Sequence, residues 1–570
     1  MREGVSHGLD AEQVAVAEAE PDARQIVLAA PGSGKTEVVA ARVDALAELH
    51  DLDVVDEVLV LSFSRAAVAA LRSRLGPRSA RPLPTIRTID STATMLLDEV
   101  AADDWAGLDF DGRIERIRAV LAAGAASESL SLLGHVVVDE VQDLVGIRAR
   151  FVLDLLRALP EGAGFTLLGD PRQALYDFQL TDATDMTARD FLDEAALLSG
   201  RHPVDRVRLL GQYRARSEDA RSVASLGATD LDGGEWTQAV EDHLGSVLTM
   251  GDVAGVARPV ARWPGTTAFL CRTNGDALVV AGVLRELEVT ARLRPLVEKQ
   301  PLETWVARAV SGSTTSITKT DVIDRLTGVV SDPEASWRLL KATERNLRVA
   351  DRIDIARLTM RVDLGDFPAA LGAGPGPVVV STVHRAKGLE FDNVVVVDPD
   401  GMREPDGSSV AYVALTRARD RLVGAGLDRP RFFHYDKTTG RWIVGGHQRW
   451  MTAAIELRPD DIAIDPDIEA DEIVIGGRVA AAFDRRSSTL GVPVWEVRSA
   501  ERRIGHTTPA FGELVARRVE AGTVGSRWGW PDLAGGIGVE GVVTGVVRDR
   551  AGKPSLAAVP TISGLATFLR

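Results

Sequence analysis

One cysteine in 570 residues, Cys271, leaves no partner for an intramolecular disulfide and too few thiols for a cysteine zinc site or an iron–sulfur cluster. A reducing compartment is expected. No stretch approaches the roughly 18 apolar residues of a membrane span, and the opening segment MREGVSHGLDAEQ lacks the apolar core of a signal peptide. A cytoplasmic location, away from membranes, is the expectation. Internal repeats and long low-complexity tracts are absent. Positive charge is in deficit: the net charge of −16 argues against a nonspecific basic coat for nucleic acid, although it leaves room for a local positive groove. Lysine is scarce, with seven in all, and two of them, Lys35 and Lys387, fall in the motifs below.

What is present is the composition of a folded, multidomain chain. It is 45% hydrophobic and 26% charged, too apolar for general disorder, and at roughly 150 residues per domain its length predicts three to four domains. Short apolar runs at 25–29, 57–62, 135–138 and 165–168 alternate with helical patterns, and a second set lies at 267–271, 377–381 and 393–398. Alternation of this kind predicts two α/β domains with parallel sheets. The stretch 226–265, rich in Gly, Asp and Trp, lacks clear periodicity, and 312–375 is mostly polar or helical and ends in the Gly/Pro stretch LGAGPGP; both read as insertions or linkers. Beyond residue 428, runs such as EIVIGGRVAAAF, VPVWEV and VEGVVTGVV, punctuated by Gly and Pro, predict a third, β-rich domain with one helix near 510–520.

The segment AAPGSGKT, 29–36, joins an apolar run to an amphipathic stretch and reads as a phosphate-binding loop. Its small residues Gly32, Ser33 and Gly34 let main-chain N–H groups face phosphate oxygens at a helix N-terminus; Lys35 supplies a point charge for the β- and γ-phosphates and Thr36 a hydroxyl for Mg²⁺. Ala29 stands where the general pattern has its first glycine. A second motif, VVVDEVQD at 136–143, ends an apolar strand in adjacent acids. Taken alone it reads as a solvated Asp-Glu pair capping a helix. Beside a phosphate loop, Asp139 reads as a Mg²⁺ ligand and Glu140 as the group that orients or deprotonates an attacking water.

With these two motifs in place the chain resembles the UvrD/Rep-type superfamily 1 DNA helicases, whose motifs occur here in the family's order over about residues 8–425. SFSRAA (62–67), TIDS (88–91), GDPRQALYDF (169–178), QYRA (212–215), FLCRTN (269–274), STVHRAKGLEFD (381–392) and YVALTRARDRL (412–422) resemble its motifs Ia, Ib, III, IV, the opening strand of the second motor, V and VI. The resemblance implies two RecA-like motor domains, at 1–210 and 211–428, with short insertions at about 92–134 and 290–375, and an accessory domain at 429–570. It implies ATP and Mg²⁺ as cofactors and single-stranded or tailed duplex DNA as partner. By residue, it implies that Gln13 reads adenine, Tyr213 stacks on it, Glu390 binds ribose, Gln173 senses the γ-phosphate, and Arg214 and Arg417 are arginine fingers from the second motor. Phe63, Ser64, Arg65, Thr88, Tyr176 and His384 would lie along the DNA track, where rings stack on bases and cations meet phosphates.

The chain also departs from the family's pattern. Asp90 stands where the family often has His, Glu37 where many relatives carry Arg, and Gln179 where motif III has an arginine. Both insertions are much shorter than in full-length relatives, which puts processive unwinding by the lone chain in question. The C-terminal region matches no named motif. It holds Trp442, Trp450, Trp495, Trp528 and Trp530, with Arg502, Arg503 and Arg527 nearby. A tryptophan-rich β-barrel core is the plainer reading and a nucleic-acid platform the other. The reading that emerges is an ATP-dependent motor moving 3′ to 5′ on single-stranded DNA. The alternative is a nucleic-acid-gated ATPase subunit of a repair or phage-defence complex, with the C-terminal domain docking a protein partner. A P-loop kinase leaves motifs V and VI unexplained.

Overall fold

Six short strands make the first sheet: β1 (Arg24–Ala29), β2 (Val58–Ser62), β3 (Thr85–Thr88), β4 (His135–Asp139), β5 (Gly164–Gly169) and β6 (Asp205–Leu209). They lie in the order β3-β2-β4-β5-β1-β6, every pairing parallel. The structure is a computed structural model. It describes residues 8–569 apart from 64–67, 69–70, 73–74, 76–83, 101–104, 106, 125–127, 176–179, 181–184, 230, 232, 295–301, 314, 347–348, 365–366, 373–375, 404–406, 447–451, 466–467, 469–472, 490, 500–501, 521–529, 535, 549–551 and 553. The chain divides into two compact units, one of Met1–Val247, Lys387–Glu390 and Met402–Leu422, the other of Leu248–Ala386, Phe391–Gly401 and Val423–Arg570.

Within the first unit, β2, β4 and β5 are buried along their whole length, because helices cover both faces of a parallel sheet. One face packs on α2 (Lys35–Glu48) through Val38, Val39, Val43 and Leu46. The other packs on α3 (Ile89–Val100), α4 (Phe110–Ala122) and α5 (Gly146–Arg157) through Leu97, Ile114 and Phe151. Upstream of the sheet, α1 (Ala11–Ala17) is closed by a capping box between Asp10 and Gln13. After β6 come α6 (Glu218–Ser225) and α7 (Gly233–Ser246), in a region that the sequence leaves without period. The apolar residues of α7, Trp236, Val240 and Leu244, recur every four positions, a stripe thinned by the Gly and Asp around it.

The second unit carries β7 (Thr249–Asp252), β8 (Thr267–Cys271) and β9 (Arg292–Leu293), then β10 (Ser316–Thr318) and β11 (Arg352–Asp354) inside the insertion, then β12 (Val378–Thr382), β13 (Phe391–Val397) and, from Val423 on, the end of β14 (Ala418–Gly426). Its α/β sheet runs β7-β14-β13-β8-β12-β9, with β8 parallel to both β12 and β13. Helices α8 (Val253–Val260) and α9 (Asn274–Glu286) pack on it, the latter capped by Thr273. The insertion is helical, with α10 (Thr304–Val310), α11 (Lys319–Leu326), α12 (Pro333–Glu344) and α13 (Ile355–Asp363) around a core that includes Trp337, Leu340 and Ile353.

The C-terminal region is β-rich, as expected: β15 (Phe433–Asp436), β16 (Arg441–Gly445), β17 (Thr452–Leu457), β18 (Ile462–Ile464), β19 (Val479–Phe483), β20 (Trp495–Ser499), β21 (Arg502–Thr507), β22 (Asp532–Ala534), β23 (Ile537–Arg548) and β24 (Pro554–Leu569) join in one sheet. Trp495 is its fully buried centre, donating its indole N–H to Pro531 O at 2.8 Å, and Trp530 packs beside that core. Trp450, Trp528 and Arg527 lie outside the described residues. Among the described residues no helix is long and apolar enough to cross a membrane.

Within this unit the C-terminal strands are stitched to what precedes them. Arg285 on α9 ion-pairs with Glu540 on β23, both side chains only 7% exposed, and also donates to Gly536 O at 2.9 Å. The Thr544 hydroxyl donates to Glu303 O at 2.6 Å and accepts from Ala307 N at 2.9 Å. Leu556 of β24 completes the core of the insertion. A cut near residue 428 removes Gly536, Glu540, Thr544 and Leu556 and leaves their partners behind.

A buried ion pair adds little net stability, yet losing one member strands the other. Arg285→Met is therefore expected to cost about 3–5 kcal/mol, seen as a lower denaturant midpoint by circular dichroism, and Arg285→Met combined with Glu540→Leu to recover most of it. An unchanged midpoint in the single variant would show that solvent, not Arg285, compensates Glu540.

Candidate nucleotide site

The parallel register places the C-terminal ends of all six strands of the first sheet along one edge, and the chemistry-bearing residues gather there. Between β1 and α2 the chain turns tightly, with Gly32 at φ +84° and Gly34 at φ +82°. A Cβ at Gly32 would lie 2.1 Å from Gln212 Oε1, and one at Gly34 2.5 Å from Gln13 Nε2, so both positions exclude side chains. Three donors grip the loop's carbonyls, each at 2.8 Å: Gln13 Nε2 on Ser33 O, Gln212 Nε2 on Pro31 O and Tyr213 N on Gly32 O. Gln13 Oε1 accepts from Asp10 N at 3.0 Å. The Ser33 hydroxyl is buried without a hydrogen-bond partner. Lys35 opens α2, where first-turn N–H groups favour an anion, and Thr36 follows it, partly exposed. A loop without Cβ atoms at Gly32 and Gly34, the unsatisfied Ser33 hydroxyl and a lysine at a helix N-terminus together suit a phosphate chain.

Opposite the loop, Asp139 ends β4 and Glu140 takes the left-handed region at φ +60°. Lys35 Nζ lies 3.1 Å from Glu140 Oε2, and the Gln142 amide donates to the same oxygen. Burial pushes the Asp139 carboxyl above the usual carboxylate range, and the neighbouring Glu140 charge adds to the rise. Burial works on Glu140 in the same sense, but Lys35 and Lys387 outweigh it and hold the group ionised. The Lys387 ammonium donates to Asp143, whose carboxyl burial pushes up to about 6, and to Gln173 O at 2.6 Å. Gln142 Oε1 accepts from Asp170 N at 3.0 Å, so β4 and β5 are tied at their ends.

Gln173 donates to Asp170 Oδ2 at 3.0 Å and accepts from Arg417 Nη2 at 3.2 Å. Arg417 is 2% exposed and donates also to Val413 O at 3.0 Å and Leu389 O at 3.3 Å. Burial, with Arg214 nearby, brings its pKa down to about 10. Arg214 Nη2 lies 2.6 Å from Glu390 Oε1, and Arg419 Nη2 2.7 Å from Glu390 Oε2. Burial opposes ionisation of Glu390, but these two arginines hold its pKa below the ordinary value. Tyr213 is exposed and its hydroxyl donates to Asp10. The resemblance carries Arg214 and Arg417 on the second motor; in the structure their segments belong to the same compact unit as the phosphate loop.

All residues expected about the nucleotide, from Gln13 to Arg417, thus lie in the first unit. Of those expected along the DNA, Phe63 and Thr88 follow or end neighbouring strands, since Ser62 pairs with Thr88 across β2 and β3. Phe63 packs partly against the apolar core. Ser64, Arg65 and Tyr176 lie outside the described residues, as does Gln179, and His384 belongs to the second unit, on the helix Val383–Ala386. Asp90 pairs with Arg148 at 2.9 Å, which gives that departure from the family pattern a structural use. Gln142, Asp143, Asp170, Gln212 and Arg419 received no role from the sequence, although each sits inside or beside a motif. Their signal is positional only, because Asp143, Gln212 and Arg419 meet Lys387, Pro31 and Glu390, which are distant in the chain.

Two family models match the chain, an AAA domain over residues 12–179 and a UvrD-like helicase C-terminal domain over residues 377–423. The mitochondrial ATP-dependent DNA helicase HMI1 of Saccharomyces cerevisiae is 34% identical over 77 residues, which is 14% of this chain and 11% of that protein's length. The chain is also similar to the crystal structure of Pif1 helicase from Candida albicans, with 12% identity over 74% of this chain and 94% of that one at a TM-score of 0.37. The DUF1998 helicase MrfA bound to DNA gives 10% identity over 74% of this chain and 49% of that one at 0.35. The two family models fall on the phosphate loop through the third motif and on the fifth and sixth motifs, and over these two segments the chain is similar to UvrD-like helicases.

Proposed function

We propose that the protein is an ATP-hydrolysing DNA motor that moves 3′ to 5′ along single-stranded DNA. The observation that carries this reading is the convergence of Lys35, Glu140, Gln173, Arg214 and Arg417 on one phosphate loop. Phosphates laid on the N–H groups of residues 32–36 would draw Lys35 from Glu140, freeing the Glu140 carboxylate to accept a proton from the attacking water. That water's oxygen bonds the γ-phosphorus as the bridging P–O bond breaks, leaving ADP and phosphate. Asp139 and the Thr36 hydroxyl would hold Mg²⁺, which when bound offsets phosphate charge. Arg214 and Arg417 supply fixed guanidinium donors to phosphoryl oxygens, and Gln173, bonded to Arg417, links the γ-phosphate position to that donor. Gln13 and Tyr213 would hold the adenine and Glu390 the ribose, the last by exchanging part of its arginine pairing.

In this reading residues 1–210 and 211–428 are the motors and 429–570 the accessory region. Phe63, Ser64, Arg65, Thr88, Tyr176 and His384 contact the strand, and the protein works in the cytoplasm. A second reading, an ATPase subunit gated by nucleic acid within a larger complex, draws support from one observation. Among the described residues the first insertion consists of α3, α4 and a helix at Glu128–Leu132, a small grip for duplex.

Lys35→Ala and Glu140→Gln are each expected to abolish turnover without unfolding the chain, with Glu140→Gln still binding ATP. Steady-state hydrolysis within about threefold of wild type in either variant contradicts the site.

Arg417→Ala and Arg214→Ala should each lower kcat by roughly 10³, as loss of an arginine finger does, with a smaller effect on nucleotide affinity measured by fluorescence. Survival of hydrolysis in both would remove the guanidinium groups from the mechanism.

Oligo-dT at low salt should stimulate hydrolysis, and added salt should weaken the effect. Stimulation that requires a protein partner would favour the second reading. Direction is tested by translocation along strands carrying a block at either end.

A further inference from the structure

The sequence singles out a cluster of C-terminal tryptophans, and one of those described stands apart from the β-rich core. Trp442, on β16, stacks on Phe433 of β15 with ring centroids 5.0 Å apart, and Tyr435 lies against it at 5.6 Å. A Cβ on Gly275, in the first turn of α9, would fall 2.5 Å from the Trp442 ring and 2.8 Å from Phe433, so this helix closes one side of the pair and holds both rings still. The outer members stay in water: Tyr435 is 48% exposed and Phe432 44%. Phe432 sits at φ +61°, a conformation bulky residues rarely adopt, and Arg431 Cζ lies 4.9 Å from its ring centroid. The hairpin therefore keeps two aromatic rings outside against both hydrophobic and backbone preference.

Charge selects the occupant. Arg429 is neutralised by Asp276 and Asp398, and Arg441 by Asp461. The local acid, Asp436, is occupied by Thr438 N, the Thr439 hydroxyl and Arg518. Arg431 and Lys437, both exposed, have no carboxylate partner among the described residues. An apolar protein surface laid here would bury two cations uncompensated. A polyanion with flat faces compensates the charge and stacks on the rings.

We propose that the β15–β16 hairpin is a binding platform for single-stranded DNA, with a base on Tyr435 and phosphates at Arg431 and Lys437. This rests on the motor reading and adds a contact beyond the motifs. The test is the affinity of the full chain for fluorescein-labelled oligo-dT by anisotropy across a salt series. Tyr435→Ala should raise Kd about tenfold, while Tyr435→Phe, which keeps the ring, stays within about twofold of wild type. Arg431→Gln with Lys437→Gln should weaken binding and flatten the slope of log affinity against log salt by about 1.4. If wild type binds oligo-dT and either Tyr435→Ala and the double variant bind as well, or Tyr435→Phe loses as much as Tyr435→Ala, the platform is overturned and the motor stands. If wild type binds no oligo-dT at any salt, the motor reading itself falls and the platform with it.

Discussion

A buried charge must be matched, and the first unit is organised about that requirement. Lys35 meets Glu140, Lys387 meets Asp143, and Arg214 meets Glu390, each pair joining segments more than a hundred residues apart. Such pairs contribute little net stability, because desolvation offsets most of the Coulombic gain, but a broken one is costly. Their effect is to specify which strand ends and loops meet. They also make the site responsive: a polyphosphate on the loop is a stronger partner for Lys35 than a carboxylate is, and whatever takes Lys35 changes the charge felt by Glu140, Asp139 and, through Gln142, the end of β5.

The phosphate loop was legible although its first glycine is missing, and the structure gives the reason. Ala29 is the last residue of β1, buried and with ordinary backbone, so nothing there demands glycine. The demand falls on Gly32 and Gly34, where the left-handed turn and the amides of Gln212 and Gln13 leave no room for a Cβ. Strands covered on both faces were legible too, as unbroken apolar runs. The edge strands β3, TIRT, and β6, DRVRL, were not, because an edge strand with an exposed face alternates charge with apolar residues and resembles a loop.

The motif residues could be named from the sequence, but not their partners. Arg417 and Gln173 are 244 positions apart, as are Lys387 and Asp143, and no local pattern announces a pairing at that distance. The same holds for Arg285 with Glu540 and Ala307 with Thr544. The C-terminal runs looked short because Gly and Pro punctuate them, whereas β23 and β24 are 12 and 16 residues long. Pro560 is tolerated inside β24 where β23 pairs with it on one side and, among the described residues, no strand borders the other.

That long hairpin explains how so reduced an insertion keeps its shape. The described residues of 302–371 include α10 to α13 and the β10–β11 ladder, too small a body to bury a sizeable core unaided. Leu556 and Val546 from the hairpin supply a wall, Thr544 satisfies the main chain where the insertion begins, and Arg548 pairs with Asp363 at 2.9 Å where α13 ends. In the second unit the C-terminal strands are thus structural for the insertion before they are anything else. Among the described residues, Phe433 and Trp442 of β15 and β16 pack on α9 while Tyr435 stays exposed, so this hairpin keeps an aromatic surface open for the proposed ligand.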